Sequence, residues 1–406
     1  MKTHIVLGLG FGDEGKGLTT AYLCQKAGNA IVIRFNGGHQ AGHTVVLPDG
    51  KRHVFSSLGS GSLHHVPTYW SRYCTFYPLG FLNEYRTLLK AGAQPRFYLD
   101  ALSPVTTYYD VIYNRALESN RDRHGSCGLG FGATIERHES FPKLFAQDLW
   151  FPAILEMKLK SIAQYYDQKI KLAGSAQLAA AYYDYDFAHA TEQYMQAVKK
   201  CISVIERVHE EPYFAYLKEQ DATFIFEGAQ GILLDMDHGF FPHVTRSHTT
   251  SKNALELIQH NQLPTPSLYY VTRAYQTRHG AGPMTNEDLS LQLRNNENET
   301  NVLNDWQGNF RTAVLDIDLL QYALLSDTNY SGLLTKNLVI TCLDQVGDAI
   351  PATRRGVLNH YSVRELANET LPTARELLLS KSEISENIQV HRLKEGINDK
   401  LACLLI

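Results

Sequence analysis

Two glycine-rich segments near the start of the chain carry residues that could do proton and phosphoryl chemistry. Gly10–Gly17 holds Asp13 and Lys16, and Asn36–Thr44 holds His43. Glycines let backbone N–H groups approach an anion, and a nearby lysine adds positive charge. The first segment is not a Walker A sequence. A carboxylate beside phosphates would repel them unless it binds Mg²⁺ or acts as a base. The two segments therefore predict a nucleotide site with proton chemistry.

Strands must position these two segments, and short apolar runs in the sequence are the candidate strands. Continuous apolar strands are typical of a parallel sheet that helices cover on both faces. Functional residues in such sheets lie at the carboxyl ends of the strands. We therefore expect an α/β fold with a large, mostly parallel central sheet. The predicted strands are His4–Gly10, Ala30–Asn36, Thr223–Gly228, Leu268–Arg273 and Leu338–Asp344.

Three segments have helical patterns. Lys16–Ala27 should be the first helix, with Gly28 as its stop. Thr191–Glu211 has apolar residues on one face and charges elsewhere, which predicts a long amphipathic helix. Thr373–Lys381 follows a proline and predicts another helix.

Composition narrows the function classes. The 406 residues carry a net charge of −4, without a basic stripe, so nucleic acid is not the expected partner. No apolar run approaches the roughly 20 residues that span a bilayer. The six cysteines are scattered, which favours reduced thiols over zinc or disulfides. We expect one cytoplasmic domain over residues 1–406, without a signal peptide and with a flexible polar loop at about 286–308.

The motifs resemble adenylosuccinate synthetase. The first segment reads Gly-Asp-Glu-Gly-Lys-Gly, and the second reads Asn-Gly-Gly-His-x-Ala-Gly-His-Thr. Three more segments are similar to that family in the same order: Phe226–Gly239, Pro242–Thr245 and Ala274–Pro283. The resemblance implies the P-loop-like fold of the family, with sub-lobes around the sheet.

The resemblance also implies an activity. The family joins aspartate to inosine monophosphate, driven by GTP and Mg²⁺, through a 6-phosphoryl-purine intermediate. By this resemblance Asp13 would take the N1 proton of the purine and bind the metal, with the carbonyl of Gly42 as a second ligand. His43 would donate a hydrogen bond to O6 and the γ-phosphate. Lys16 would neutralise the phosphoryl group in transfer.

The remaining site residues are assigned by the same resemblance, which also implies a homodimer in which Arg137 reaches across the interface. The expected phosphoryl and GTP contacts are Gly12, Glu14, Gly15, Lys16, Gly17, Thr44 and Asp344. The expected contacts to the purine monophosphate are Gln40, Ser126, Cys127, Arg137, Gln230 and Thr245. The expected contacts to the amino acid are Arg311 and Arg278.

This chain departs from the family where substrates are recognised. The aspartate loop keeps one arginine, Arg311, and Leu129 stands where the family has a cation. The segment Thr341–Asp344 lacks the family's stacking lysine. One alternative is therefore the same chemistry on another purine monophosphate such as dGMP, with GTP or ATP as the donor. A non-catalytic nucleotide-binding regulator is a further alternative, but the retained Asp13 and His43 disfavour it.

Overall fold

The computed structural model describes residues 1–119, 126–294 and 309–393. The strands in these ranges, numbered along the chain, are β1 (Thr3–Gly8), β2 (Ala30–Arg34), β3 (His43–Val46), β4 (Arg52–Phe55), β5 (Thr68–Trp70), β6 (Phe97–Asp100), β7 (Glu206–Val208), β8 (Thr223–Glu227), β9 (Ser267–Arg273), β10 (Gln276–His279), β11 (Phe310–Ala313), β12 (Leu315–Asp316), β13 (Thr335–Thr341), β14 (Ile350–Arg354), β15 (Val357–Tyr361), β16 (Glu376–Leu379) and β17 (Gln389–Arg392).

The helices of the same ranges are α1 (Lys16–Ala27), α2 (Pro78–Lys90), α3 (Tyr108–Glu118), α4 (Phe131–Glu139), α5 (Pro152–Ala173), α6 (Ala176–Tyr183), α7 (Phe187–Cys201), α8 (Glu210–Glu219), α9 (Lys252–His260), α10 (Ile317–Ser331) and α11 (Val363–Thr370). None of the described helices is long and apolar enough to cross a membrane.

The centre of the molecule is one large sheet in the order β17-β16-β13-β9-β1-β8-β2-β5-β6-β7. Its strands pair in parallel, except for the antiparallel pair of β16 and β17. The five strands predicted from apolar runs are the neighbours β13, β9, β1, β8 and β2. The expected α/β fold with a mostly parallel sheet is therefore confirmed.

Both faces of the sheet are buried, because successive side chains of a strand point to opposite faces. Val6 of β1 packs with Leu18 and Leu23 of α1 on one face. Its neighbours Ile5 and Leu7 join the core on the other face, which α8 to α11 cover. This burial explains why the central strands are almost continuously apolar.

The first helix matches its prediction, whereas two others do not. α1 begins at Lys16 after Gly15 in the left-handed conformation, and Gly28 follows its end. The helix predicted at Thr191–Glu211 corresponds to α7, which begins at Phe187 and ends at Cys201, because the chain turns there and Glu206–Val208 pairs with β6 as β7. The helix predicted at Thr373–Lys381 is wrong.

The second error has a physical cause. Leu377–Leu379 is a buried strand that pairs in parallel with β13. A run of three or four apolar residues fits a buried strand and a buried helix equally well, so tertiary pairing decides between them.

The polar loop at 286–308 is only partly within the described residues, because 295–308 lie outside them. Its first residue is held firmly. The side-chain amide of Asn286 donates to Val314 O at 3.1 Å and to Thr353 Oγ1 at 2.7 Å. These hydrogen bonds tie Asn286, the first residue of the predicted loop, to the rest of the structure.

Candidate active site

The candidate site lies at the carboxyl edge of the sheet, where loops after the central strands meet. Thr341, at the end of β13, donates to Glu14 O at 2.6 Å. Thr277 of β10 donates to Gly12 O at 3.0 Å. The N–H of Leu233 donates to Gly10 O at 3.1 Å. The loop that follows β1 is thus held by three other loops or strands.

Asp13 is a partly exposed carboxylate of this loop. Its φ is +63°, a left-handed conformation that aspartate adopts more readily than most residues. Its Oδ2 lies 3.3 Å from Nε2 of His279, and Arg273 donates to its carbonyl oxygen. Burial alone would raise the pKa of Asp13, but His279, Arg273 and Lys16 outweigh it and lower that pKa. Asp13 is therefore an ionised carboxylate at the mouth of the site.

Glu14 and Lys16 face inward instead. Oε1 of Glu14 accepts the N–H groups of Gly10 and Gly12 at 3.0 and 2.8 Å. Its Oε2 lies 2.5 Å from Nζ of Lys16, and both side chains are buried. The carboxylate of Glu14 thus accepts hydrogen bonds from N–H groups and a lysine that would be expected to bind a phosphate. The N–H groups of the first turn of α1 remain as the anion-binding element.

His43 packs directly on that first turn. A Cβ added at Gly17 would lie 2.8 Å from Cβ of His43, so glycine is needed for this close approach. Nδ1 of His43 lies 2.8 Å from Oε1 of Glu227, the buried last residue of β8. The backbone N–H of Ser60 donates to the other oxygen of Glu227 at 3.1 Å.

The charge state of this pair follows from its surroundings. Burial would raise the pKa of Glu227, but His43, Arg34 and Ser60 outweigh it and lower that pKa. Burial lowers the pKa of His43, against the opposing effect of Glu227. An ionised carboxylate only accepts hydrogen bonds, so Nδ1 of His43 carries the proton. Nε2 is then the ring atom left for contact with a substrate.

Two side-chain amides meet beside the second glycine segment. A Cβ at Gly37 would lie 3.4 Å from Nε2 of Gln40 and 4.0 Å from Oε1 of Gln230. Both amide atoms of Gln40 and Oε1 of Gln230 are buried without a hydrogen-bond partner among the described residues. Buried polar groups are normally paired. These unpaired atoms are therefore suited to a polar ligand.

The other residues expected to contact the nucleotide have hydrogen-bond partners of their own or are buried. The N–H of Thr245 donates to Leu234 O at 2.8 Å, and two residues later Ser247 Oγ accepts the N–H of Gly37 at 3.1 Å. Ser126 exchanges hydrogen bonds with Asn114 of α3. Burial raises the pKa of the neighbouring Cys127 thiol to about 11, so it is a neutral thiol.

Asp344 and the segment before it border the first loop. Asp344 is exposed, and Gln345 donates to its Oδ2 at 2.6 Å. A Cβ at Gly15 would lie 2.9 Å from the methyl group of Thr341. The carboxylate of Asp344 is thus open to solvent just beyond a strand that touches the start of α1.

Comparison with known proteins decides the family. The family model described as adenylosuccinate synthetase matches residues 5–395. This chain belongs to the adenylosuccinate synthetase family. The adenylosuccinate synthetase of Bordetella avium (strain 197N) is 31% identical over 293 residues, which are 71% of this chain. The aligned region spans only 65% of the length of that relative.

Two solved structures share the fold. The fully ligated adenylosuccinate synthetase from Plasmodium falciparum matches with a TM-score of 0.74 and 19% identity, over 97% of this chain and 100% of the other. Cyanophage S-2L succinoaminodeoxyadenylate synthetase, bound to dGMP and dATP as an energy donor, matches with a TM-score of 0.63 and 15% identity, over 97% and 96%. At these identities the similarity concerns the fold.

Arg137 does not occupy the place that the family resemblance implies. It is 0% exposed, and its guanidinium donates to both carboxylate oxygens of Asp110 and to the carbonyls of Val105 and Pro142. This network uses four of the five N–H donors of the guanidinium. The side chain has no surface for a nucleotide phosphate, so we assign it to the core beside α3 and α4.

The two arginines expected at the amino-acid site also have internal partners. Arg278 is buried and donates to the carbonyls of Ala281, Pro283 and His243 at 3.2, 2.7 and 3.2 Å. It therefore organises a turn. Arg311 donates to both oxygens of Glu287 at 2.9 Å but keeps 25% of its side chain exposed. Arg311 is the better candidate of the two for an acid.

The expected Mg²⁺ ligands have suitable chemistry. Asp13 offers an ionised carboxylate whose Oδ1 has no hydrogen-bond partner within the described ranges, and Gly42 is an exposed backbone position. Mg²⁺ prefers one or two protein oxygens together with phosphates and water. Asp235, Asp237 and His248 form another cluster of possible ligands, but the backbone N–H groups of Thr249 and Asp237 already donate to the two carboxylate oxygens of Asp235.

Sequence reasoning missed two residues of this site, Glu227 and His279. Glu227 is the last residue of β8, and the rule that functional residues follow parallel strands could have found it. His279 had no such signal. It lies at the end of the short strand β10, whose partner β11 begins 31 positions later, at Phe310.

Proposed function

We propose that this protein is a ligase that forms adenylosuccinate from inosine monophosphate and aspartate with GTP. One observation carries the proposal. Two loops meet at the N-terminus of α1, and they contribute the ionised Asp13 and His43, whose Nδ1 is hydrogen-bonded to Glu227. A base and a hydrogen-bond donor beside an anion-binding helix end are what phosphoryl transfer to a purine oxygen requires.

In the first step Asp13 removes the proton from N1 of the purine, and O6 attacks the γ-phosphorus. The bond between that phosphorus and the bridging oxygen breaks, and the nucleoside diphosphate leaves. The first-turn N–H groups of α1 and the ring of His43 stabilise the negative charge. Mg²⁺, held by Asp13 and the carbonyl of Gly42, would supply further charge neutralisation when bound.

In the second step the amine of aspartate attacks C6 of the 6-phosphoryl purine. The bond between C6 and the phosphorylated oxygen breaks, and inorganic phosphate leaves. Arg311 is the proposed contact for a carboxylate of the amino acid, in place of its partner Glu287. Gln40, Gln230, Thr245, Ser126 and Cys127 are proposed to hold the monophosphate, and Asp344 to contact the base of the triphosphate.

The same chemistry on dGMP with ATP is the second candidate. The fold of the cyanophage S-2L enzyme, which was solved with dGMP and dATP, supports it. The altered segment Thr341–Asp344, without a lysine, also supports a different donor. The proposal of a cytoplasmic homodimer is supported by the family resemblance alone, because the buried Arg137 does not support an interface.

One experiment separates the candidates. The protein is incubated with Mg²⁺, aspartate, GTP or ATP, and either inosine monophosphate or dGMP, and the succino-adduct is detected by mass. We expect the adduct of inosine monophosphate with GTP. An adduct from dGMP alone would replace the first proposal with the second. No adduct and no phosphate release in any mixture would contradict both.

A further inference from the structure

The contact between His279 and Asp13 is the basis of a further inference, which rests on the proposed role of Asp13. Nε2 of His279 lies 3.3 Å from Oδ2 of Asp13, and their side chains are 19% and 22% exposed. The ring of Phe310, which is opposite His279 in the pairing of β10 with β11, packs against the imidazole with ring centroids 4.9 Å apart. The imidazole thus contacts both a neighbouring strand and the carboxylate.

His279 belongs to a strand that grips the loop at two points. Thr277 donates its hydroxyl to Gly12 O at 3.0 Å, and His279 contacts the next residue, Asp13. Residues two apart on a strand share a face, so both contacts come from the same face of β10. The backbone of Asp13 is held separately by Arg273, which donates to its carbonyl oxygen.

A general base must keep one oxygen within hydrogen-bond reach of the proton that it removes. The backbone contacts fix where Asp13 lies, but they do not fix the rotation of its carboxylate. His279 is the described residue that contacts Oδ2, while Oδ1 keeps no partner in the ranges that the structure describes. An N–H donated to one oxygen leaves the other oxygen turned toward the substrate.

We propose that His279 is a positioning residue for Asp13. It donates its Nε2 hydrogen to Oδ2 and so orients the carboxylate for the purine N1 proton. No proton passes to His279 in this role. A neutral side chain with an N–H at the same reach should therefore replace it, which separates positioning from proton relay.

The test compares His279→Gln with His279→Leu. The amide nitrogen of glutamine reaches about as far as Nε2 of histidine, whereas leucine retains bulk against Phe310 and has no donor. We expect kcat of the leucine variant to fall by about tenfold or more, as for other residues that orient an active-site group. KM for both nucleotides should change less than about twofold, and glutamine should restore most of kcat.

A second variant and a second readout keep the test decisive. His279→Asn keeps an amide that is too short to reach Asp13, so its kcat should resemble that of the leucine variant. If the leucine variant does not fold, the asparagine variant tests the loss of the donor instead. Thr277→Val removes the other contact of β10 with the loop and should lower kcat by less than about threefold. A crystal structure of the ligand-free leucine variant should show the Asp13 carboxylate rotated away from its present position.

The outcomes distinguish this inference from the proposed function. Wild-type kcat in both the leucine and asparagine variants would overturn the positioning role. So would equal losses for glutamine and leucine, or an unmoved Asp13 carboxylate in the crystal. A wild-type protein that makes no adduct would instead contradict the proposed function, and the crystal structure would still decide whether His279 orients Asp13.

Discussion

Nδ1 of His43 lies 2.8 Å from Oε1 of Glu227, and this carboxylate is fully buried at the end of a central strand. Ser60 donates to both oxygens of Glu227, through its hydroxyl and its backbone N–H. The histidine ring is therefore oriented by a carboxylate that is itself buried and hydrogen-bonded. An anchored ring is positioned for substrate before the substrate arrives, which lowers the reorganisation that catalysis needs.

The first prediction concerns Glu227→Gln. Glutamine keeps the shape of the side chain but removes the negative charge that fixes the protonated nitrogen of His43. We expect kcat to fall by about 10- to 100-fold, the usual effect of removing a partner that orients an active-site residue, with little change in KM. Steady-state kinetics of adduct formation measure both constants.

Two further variants test whether charge or packing matters here. Ser60→Ala removes one donor to Glu227 and should lower kcat only a few-fold, about the effect of one net hydrogen bond. Glu84→Gln alters another buried glutamate, which accepts the N–H groups of Ser56, Ser57 and Leu58. It should cost stability but leave kcat unchanged. A similar kcat in Glu227→Gln and wild type would contradict the proposed role.

The second prediction is that Asp13→Asn abolishes turnover without unfolding the chain. Asparagine tolerates a φ of +63° as well as aspartate does, so the loop should keep its backbone. Loss of the base should lower kcat by about 10²- to 10⁴-fold. Circular dichroism and the melting temperature check the fold. Near-normal turnover in this variant would show that Asp13 is not the base.

The central strands were predictable because each is buried on both faces and therefore almost continuously apolar. β2 and β8, for example, consist of five buried residues each. β16 was not predictable, because its short leucine run suits either a helix or a strand until β13 lies beside it. The prediction that the helix continues from Cys201 to Val208 was wrong for a similar reason, since β7 forms by pairing with β6.

The site divides in the same way. Asp13 and His43 belong to local motifs that are visible in the sequence, and the structure places both at the edge of the sheet. Arg137 is different. Its environment depends on Asp110, which is 27 positions away, and nothing local in the sequence marks an arginine as buried. The hydrogen bond from Lys16 to the buried carboxylate of Glu14 likewise depends on the folded structure and could not be predicted from the sequence.

The third prediction concerns Gln40→Met, which keeps the length of the side chain but removes its amide. Both amide atoms are buried, and neither has a hydrogen-bond partner among the residues that the structure describes. Removing them should raise the free energy of unfolding by about 1 kcal/mol, because an unsatisfied buried polar group is costly. The same change should weaken binding of the purine monophosphate by about tenfold.

Urea unfolding and calorimetric titration measure these two opposite effects. Gln177→Met, on the exposed surface of α6, is the matched control and should change neither quantity. If Gln40→Met destabilises the ligand-free protein, the amide has a structural partner and the binding role loses its basis.

The fourth prediction tests the revised role of Arg137. Arg137→Met leaves the buried carboxylate of Asp110 without its guanidinium partner. We expect the free energy of unfolding to fall by about 3–5 kcal/mol, the usual cost of breaking a buried ion pair. KM for the nucleotide should not change in whatever fraction of the protein stays folded. A raised KM without loss of stability would return Arg137 to the nucleotide site.

Arg246→Met is the matched control. Arg246 pairs with Glu139 at 3.1 Å, but the two side chains are 46% and 55% exposed. Its loss should change the free energy of unfolding by less than about 1 kcal/mol, as is usual for exposed ion pairs. The difference between the two arginine variants measures what burial contributes.

The last prediction is a pH dependence of stability from His138 of α4. Burial, together with the charge of Arg137, lowers the pKa of His138 to about 3. Its Nε2 accepts the N–H of Leu144 at 3.3 Å, which requires the neutral ring. The unfolded chain binds a proton on this residue below about pH 6.5, whereas the folded chain does not until about pH 3. Stability is therefore lost as the pH falls through this window.

Urea unfolding at pH 7.5 and 5.5 checks the sign and size of this effect. His138→Gln keeps an acceptor for Leu144 but cannot bind the proton. It should remove up to about 1.4 kcal/mol of the stability that the wild type loses between these two pH values. His391→Gln changes an exposed histidine of β17 and is the matched substitution. Equal losses of stability in wild type and His138→Gln would mean that His138 is already accessible to protons in the folded state.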